Sequence, residues 1–165
     1  MPDNIGELFL TFSHDRLKLF LSRIVDCLGR LSEEQIWMRG SENENAIGNL
    51  VLHLCGNVRQ WIGSGVLGAQ DIRDRNSEFE ARGTGAKQEL QARLEMIVGQ
   101  ALEGIQTLPP DRLADRIRVQ NTDTTVLQAV YAAVEHFSYH TGQIIFATKT
   151  MTGQDLGYFK HLNRK

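Results

Sequence analysis

Three histidines carry the chemistry that this sequence offers. His136 and His140 lie four residues apart, and His53 lies in a separate helical pattern. Residues four apart on a helix share one face, with Cβ atoms about 5–6 Å apart. Two such imidazoles can bind one metal ion, and a third from a neighbouring helix can join them. Three protein ligands with an open position are typical of catalytic metal sites, whereas structural sites usually have four.

Four amphipathic segments predict the helices that position these histidines. Apolar residues recur with helical spacing over about residues 5–30, 45–62, 86–107 and 126–151. Four long amphipathic helices in 165 residues predict an all-α fold, a four-helix bundle. We expect residues 1–165 to form a single domain, because most domains contain about 100–200 residues.

The helix that carries His53 has two candidate starts. Ser41 begins a capping-box pattern, and Asn45 is a second candidate cap. We expect this helix to continue to about Ile62 and to end at the glycine-rich residues 63–65. Residues 66–85 are predicted to be mostly loop. The charged run 71–75 in that loop reads either as a solvated segment or as the border of a site.

Two further patterns frame the helix that carries His136 and His140. Residues 116–120 alternate polar and apolar side chains, which predicts a short strand. Thr125 and Gln128 form a capping-box pattern, so we expect the last long helix to start there and to end before Gly153. On this helix both histidines share a side with apolar residues, and they are expected to face the core.

Each histidine also has a simpler interpretation as a hydrogen-bonded core residue. The pair at 136 and 140 weakens that interpretation, because burying two unpartnered imidazoles is unfavourable. Asn57 and Gln143 lie about one turn after His53 and His140, so they could orient the ligands or could be polar packing. The remaining histidines, His14 and His161, lack a partner one turn away and are not proposed as ligands.

Composition excludes several classes of function. The net charge is −2 and no basic cluster stands out, so we expect no nucleic-acid partner. No apolar run approaches the roughly 20 residues of a membrane span, and the N-terminus lacks a signal-peptide pattern. Cys27 and Cys55 have no CxxC spacing and are predicted to be reduced core residues of a cytoplasmic protein. Cys55 points away from His53 on its helix.

Two segments give the sequence a resemblance to a known family. Residues 47–62, IGNLVLHLCGNVRQWI, and residues 135–144, EHFSYHTGQI, are similar to motifs of the DinB-like superfamily, in particular an uncharacterised bacterial branch. The resemblance covers nearly the whole chain. It implies an up-down-down-up four-helix bundle, often dimeric, with one long connection. It also implies that His53, His136 and His140 hold a divalent metal, often zinc or nickel.

The resemblance implies an enzyme that uses a low-molecular-weight thiol, because better-known relatives include bacillithiol- and mycothiol-dependent enzymes. A bound divalent cation lowers the pKa of a thiol or a water molecule, so transfer to a small thiol and hydrolysis are both open. No carboxylate shares the histidine-bearing faces, and Glu135 points about 100° away from His136. This favours thiol transfer.

Two alternatives without catalysis stay open, namely a stress-related metal-binding protein whose metal only holds the helices together, and a bundle with three core histidines and no metal. If the protein is an enzyme, a small-molecule substrate would enter beside Asn57, Trp61, Tyr139 and Gln143, which are the predicted lining residues. We expect a homodimer on the basis of the resemblance.

Overall fold

The computed structural model describes residues 4–83 and 86–162 and shows an all-α protein built around long helices. The first, α1, spans Ile5–Arg30, and the Asn4 side chain caps it by accepting a hydrogen bond from Gly6 N. A short helix, α2, follows over Glu33–Trp37. The predicted apolar stripe of α1 faces the core, where Leu10, Leu17, Phe20, Ile24 and Leu28 are buried.

The helix that carries His53, α3, spans Ile47–Val58. Of the two predicted starts, Ser41 is wrong and Asn45 lies one residue before the observed cap, Ala46. The Asn49 side chain fixes this start by accepting a hydrogen bond from Ala46 N at 3.2 Å. The capping oxygen therefore comes from inside the helix, which the Ser41 pattern does not indicate.

The predicted end of this helix is also wrong, because the backbone continues in a wider helical form. Residues Arg59–Val66 form π-helical turns, in which Leu67 N donates to the carbonyl oxygen of Ile62 at 2.9 Å. The glycines at 63 and 65 do not stop the helix. At Gly65 the missing Cβ leaves room for the side chain of Val119. Such turns are rare in proteins, and those that occur are often found at functional sites.

The predicted loop over residues 66–85 contains a helix. This helix, α4, spans Arg75–Glu80, and the Asp74 side chain caps it by accepting hydrogen bonds from Asn76 N and Ser77 N. Its buried residue is Glu78, so α4 shows no apolar stripe by which a helix could be recognised in the sequence. The end of the predicted loop, at residues 84 and 85, lies outside the described residues.

Helix α5 spans Lys87–Thr107 and ends before two prolines, as predicted. A 3₁₀ turn at Pro110–Ala114 leads to strand β1, Arg116–Val119, which confirms the predicted short strand. It pairs in antiparallel register with β2, Thr122–Thr125, which the sequence did not predict. The connecting residues 120 and 121 both have positive φ, 51° and 61°, as in a two-residue type I′ turn.

The last long helix, α6, spans Val126–Thr152 and begins as predicted. Thr125 and Gln128 form the capping box, and Gly153 ends the helix with φ of 66°, a left-handed conformation that glycine adopts freely. Helix α6 carries both His136 and His140.

Contacts at the helix ends establish the directions of the four long helices. Arg30 at the end of α1 donates to Gln154 just after α6 at 3.2 Å, so α1 and α6 run parallel. Lys87 Nζ at the start of α5 donates to Leu31 O just after α1 at 2.9 Å, so α5 runs antiparallel to α1. Leu67, after the π-helical turns, contacts Gly104 near the end of α5. The order of directions is therefore up-down-down-up.

The core lies between these helices. Helices α1 and α3 each pack against both α5 and α6, which places the buried face of α3 against the inward face of α6. Large side chains such as Phe137, Leu17, Ile24 and Leu54 are fully buried there. Within the described residues, no helix combines the length and apolar character that a membrane span requires.

Candidate metal centre

The structure brings the three predicted histidines together. His53 on α3 is buried, and His136 and His140 on α6 are half-buried. The Nε2 atoms of His53 and His136 lie 2.8 Å apart. The ring centroids are 4.9 Å apart for His53 and His136, 5.1 Å for His53 and His140, and 4.5 Å for the α6 pair. One candidate ligand atom from each residue lies within 4.8 Å of the others.

A buried ion pair holds His53 from the side opposite its Nε2 atom. His53 Nδ1 lies 2.9 Å from Glu78 Oε2 on α4. Arg73 donates to both oxygens of the same carboxylate, from Nε at 2.7 Å and from Nη2 at 2.8 Å. All three side chains are less than 10% exposed. With the carboxylate accepting the proton of Nδ1, the lone pair of Nε2 points to the other histidines.

The position of the Glu78 carboxylate depends on a glycine in α3. A Cβ atom at Gly56 would overlap Glu78 Oε1 and would lie close to Arg73 Nε. Gly56 therefore allows the carboxylate to pack directly against the helix backbone, one turn from His53. The buried Asn49 amide, which donates to the Glu78 carbonyl oxygen at 2.9 Å, also ties α4 to α3.

The hydrogen-bond network continues outward from Arg73. Arg73 Nη1 donates to Gln60 Oε1 at 2.9 Å, and Gln60 Nε2 donates to Asp71 Oδ2 at 2.8 Å. The hydrogen bond from Gln60, with a second from Arg73 N, lowers the pKa of Asp71. The charged run 71–75 is thus part of the site and not only a solvated loop, because Arg73 and Arg75 also line the cavity at the histidines.

His140 has its own orienting partner. Its Nδ1 atom lies 2.6 Å from Gln143 Oε1, so Nδ1 donates and Nε2 keeps its lone pair. The sequence left two roles open for Gln143, orientation of a ligand and polar packing, and this contact agrees with the first. Asn57, its counterpart on α3, makes no such contact with His53 in the described residues.

The local environment keeps the α6 histidines uncharged. Burial lowers the pKa of His136 to about 4, and the nearby His140, His53 and Arg73 act in the same direction. Burial also lowers the pKa of His140, although its hydrogen bond with Gln143 opposes this. Burial opposes ionisation of Glu78, but the hydrogen bonds from Arg73 and His53 outweigh it and hold the pKa of Glu78 below its ordinary value. Neutral imidazoles are the form that binds metals.

An open cavity of about 500 Å³ adjoins His53 and His136. Asn57, Trp61 and Tyr139, three of the four predicted lining residues, lie along it. The fourth, Gln143, lies on a separate groove beside His140. Arg73 and Arg75 also line the cavity and belong to the charged run that the sequence left open as the border of a site, whereas the sequence missed three lining residues, Gln120, Ala132 and Glu135. Glu135 had been expected to point away from the site.

The lining residues outside the predicted set come from the segment around α4, from the turn between the two strands and from α6. Arg73 and Arg75 belong to the segment around α4, for which the Asp74 cap was the available signal. Gln120 belongs to the turn between β1 and β2, where its φ of 51° is unusual for a residue other than glycine. Such conformations cluster at ligand sites.

Two cysteines and two histidines lie outside this cluster, as predicted. Cys27 and Cys55 are buried and free, and burial raises the pKa of the Cys55 thiol to about 12. His14 contacts its neighbour Asp15 at 3.1 Å, and His161 is exposed in a C-terminal 3₁₀ turn. In residues 4–83 and 86–162, the group of side chains suited to hold a metal consists of His53, His136 and His140.

Comparisons with known proteins give a family and a fold. The model of a family described as "Protein of unknown function (DUF1572)" matches residues 4–162. A comparison with curated proteins finds no significant match. Among solved structures, the chain is similar to a conserved protein from Enterococcus faecalis, with 14% identity and a TM-score of 0.73. That match covers 87% of this chain and 97% of the other.

Proposed function

The chain belongs to this DUF1572 family, and we propose that it is a divalent-metal-dependent enzyme that transfers a group to or from a low-molecular-weight thiol. The observation that carries the proposal is the convergence of three imidazoles, two of which, His53 and His136, line an open cavity of about 500 Å³. We also propose that this family belongs to the DinB-like superfamily. The up-down-down-up order of the helices and the helix-borne histidines support that placement.

The donor set fits a divalent metal. His53, His136 and His140 would hold it through neutral imidazole nitrogens, which suit zinc and nickel. When bound, such an ion acts as a Lewis acid that makes a thiol or a water molecule more acidic. The low pKa of His136, about 4, keeps protons from competing for that ligand near neutral pH.

The surrounding residues fix the orientation of the ligands. Glu78 accepts the Nδ1 proton of His53, and Gln143 accepts that of His140, so both histidines present Nε2. Arg73 in turn holds Glu78 with two hydrogen bonds. Because Glu78 and Arg73 are buried, the His53 imidazole is preorganised and needs little rearrangement to bind.

The contacts of Glu78 favour thiol transfer over hydrolysis with Glu78 as the base. Glu78 is committed to Arg73 and His53, and its lowered pKa makes it a weak base. A thiol that is acidified by the site needs no such base, and its proton can leave to solvent.

One observation supports hydrolysis as a second candidate function. Glu135 lines the cavity and is exposed, so its carboxylate could accept a proton from an attacking water molecule. A purely structural metal is less well supported, because the described residues add no fourth protein ligand to the three histidines.

Metal analysis and a conjugation assay test the proposal. We expect about one zinc or nickel ion per chain in wild type and none in His140→Ala, because removing one of three ligands weakens binding strongly. With a chloro-aromatic substrate, the thiol sulfur forms a bond to carbon, chloride leaves with the bonding electron pair, and the thiol proton goes to solvent. The metal-loaded protein should accelerate this reaction for a thiol in a panel of bacillithiol, mycothiol, glutathione and coenzyme A.

The matched control is His14→Ala, which removes a histidine outside the cluster and should keep both metal and activity. His53→Ala should lose both. A different result would favour the hydrolase: the wild type hydrolyses an ester but forms no thiol conjugate, and Glu135→Gln abolishes the hydrolysis. Absence of metal in fresh protein, together with no binding of added zinc or nickel, would reject the metal site itself.

A further inference from the structure

Two charged side chains of opposite sign line the cavity without an ion-pair partner. Arg75 comes from the start of α4, and Glu135 comes from α6. Both are exposed, and within residues 4–83 and 86–162 neither forms a salt bridge. Arg73 differs from Arg75, because its guanidinium is fully engaged by Glu78 and Gln60. The cavity therefore offers a ligand one positive and one negative group.

The cavity also contains a buried polar atom that has no hydrogen-bond partner among the described residues. Asn57 is 7% exposed and lines the cavity, and its Oδ1 atom has no hydrogen-bond partner in the part of the chain that the structure describes. A buried polar atom without a partner destabilises a fold unless a ligand or water satisfies it. Asn57 lies one turn after His53 on α3, so a polar ligand that reaches this amide also lies beside the histidines.

Aromatic side chains form part of the cavity wall. The Arg75 guanidinium lies over the Phe79 ring, 4.8 Å from its centroid, which restricts where the positive charge can be. Trp61 and Tyr139 also line the cavity. A volume of about 500 Å³ suits a small molecule and not a polymer segment.

We propose that the thiol bound in this cavity carries an α-amino-carboxylate group, as cysteine does. Its carboxylate binds Arg75, its ammonium group binds Glu135 and donates to Asn57 Oδ1, and its sulfur points to His53 and His136, the two histidines that line the cavity. The role of the sulfur rests on the proposed function, whereas recognition of the zwitterion rests on Arg75, Glu135 and Asn57. Guanidinium binds carboxylate with two parallel hydrogen bonds, which makes Arg75 the specific partner for that group.

Five small molecules separate the contributions of the three ligand groups. L-cysteine has all of them, cysteamine lacks the carboxylate, 3-mercaptopropionate lacks the ammonium group, and 2-mercaptoethanol lacks both. S-methyl-L-cysteine keeps the zwitterion but blocks the sulfur. The dissociation constant of each is measured by isothermal titration calorimetry with the protein as purified, together with its metal content.

Variants of the two charged residues identify the protein partners. We expect L-cysteine to bind wild type about two- to fivefold more tightly than cysteamine or 3-mercaptopropionate, the effect of one exposed ion pair. Arg75→Gln should remove the preference over cysteamine, and Glu135→Gln should remove the preference over 3-mercaptopropionate. Lys18→Gln and Glu103→Gln remove the same charges from exposed positions on α1 and α5 and should change neither ratio.

The outcomes distinguish this inference from the proposed function. Equal binding of L-cysteine and 2-mercaptoethanol would overturn recognition of the zwitterion and leave thiol binding intact. L-cysteine and S-methyl-L-cysteine could bind equally, with both weakened by Arg75→Gln and by Glu135→Gln. That result would support recognition of the amino and carboxylate groups but would count against the thiol function. Ratios that do not change in the two variants would also overturn the inference, and absence of binding by all five would overturn both proposals.

Discussion

At the scale of single residues, the site depends on a buried triad that extends from the metal ligand into α4. His53, Glu78 and Arg73 are each less than 10% exposed, and the two charged members compensate each other. A buried charge whose partner is removed is strongly destabilising, by about 3–5 kcal/mol. The triad therefore couples the orientation of His53 to the stability of the fold.

Glu78→Gln should affect metal binding and stability together. The change weakens the hold on His53 Nδ1 and leaves the Arg73 guanidinium without its counter-charge. Loss of such an orienting partner typically weakens metal binding about 10–100-fold, and we expect the free energy of unfolding to fall by about 3 kcal/mol. Competition with a chromophoric chelator and urea unfolding measure the two effects.

Glu80→Gln is the matched control for this prediction, because it changes an exposed carboxylate on the same helix. It should leave both quantities nearly unchanged. Metal affinity in Glu78→Gln equal to that of wild type would show that the contact does not orient His53.

The pKa of His136 predicts how the metal-free protein responds to acid. The pKa lies at about 4 in the folded state, against an ordinary value of 6.5, so the unfolded chain takes up this proton first as the pH falls. The contribution of His136 is fully present above pH 6.5 and is lost as the pH falls towards 4. The lowered pKa of His140 acts in the same direction.

Urea unfolding of chelator-treated protein at about pH 7.5 and about pH 5 measures this effect. We expect wild type to be less stable at the lower pH and His136→Gln to show a smaller difference between the two, since it cannot titrate. The same difference in both proteins would contradict the assignment to His136.

At the scale of elements, the site depends on close packing between α3 and α4. Gly56 leaves space for the Glu78 carboxylate, and Asn49 binds backbone carbonyl groups of α4 and of the residue after it. Helix α4 has six residues, too few to be stable by itself in water. Its position is therefore determined by these contacts with α3.

Gly56→Ala tests the packing of these two helices. Alanine favours an isolated helix by about 1 kcal/mol relative to glycine, but the added Cβ would overlap Glu78 Oε1 and displace the carboxylate. We expect the steric effect to dominate, with a net loss of about 2 kcal/mol and weaker metal binding. Thermal or urea unfolding and metal titration provide the measurements.

Gly99→Ala in α5 is the matched control, because a Cβ there meets no described atom within 4 Å. This change should stabilise the protein by about 0.5–1 kcal/mol. If Gly56→Ala stabilises the protein to the same degree, the carboxylate is not confined as the structure indicates.

At the scale of the whole molecule, the bundle leaves several large apolar side chains exposed. Ile5, Leu8 and Phe12, which are 83%, 56% and 66% exposed, lie along α1 with helical spacing. Phe146 on α6 is 74% exposed. Exposed apolar side chains in such an arrangement are typical of contact surfaces with other chains.

We predict a homodimer, on the basis of the family resemblance and of these exposed side chains. Light scattering coupled to size-exclusion chromatography should give twice the chain mass of 18.6 kDa at micromolar concentration. Phe12→Asp should shift the mass towards the monomer if the α1 surface takes part, with Lys18→Asp, at an exposed position elsewhere on the helix, as the control. A monomer mass for wild type would reject the prediction.

The sequence by itself determined the features that repeat along one helix. The apolar stripes predicted the long helices, and the spacing of His136 and His140 placed both imidazoles on one face. Capping at Thr125 and the stop after α5 are local effects of neighbouring residues, so they were predicted correctly. Helical spacing likewise predicted that His53 lies on the inner side of its helix.

Only the tertiary structure decided which side chains of distant segments meet these histidines. Glu78 and Arg73 reach His53 from a segment that has no apolar periodicity, because that segment packs by hydrogen bonds and a buried ion pair. The start of α3 and the π-helical turns likewise follow from non-local contacts, such as Val119 against Gly65. Periodicity reports which side of a helix is buried, but the partners of a buried charge depend on how distant segments pack together.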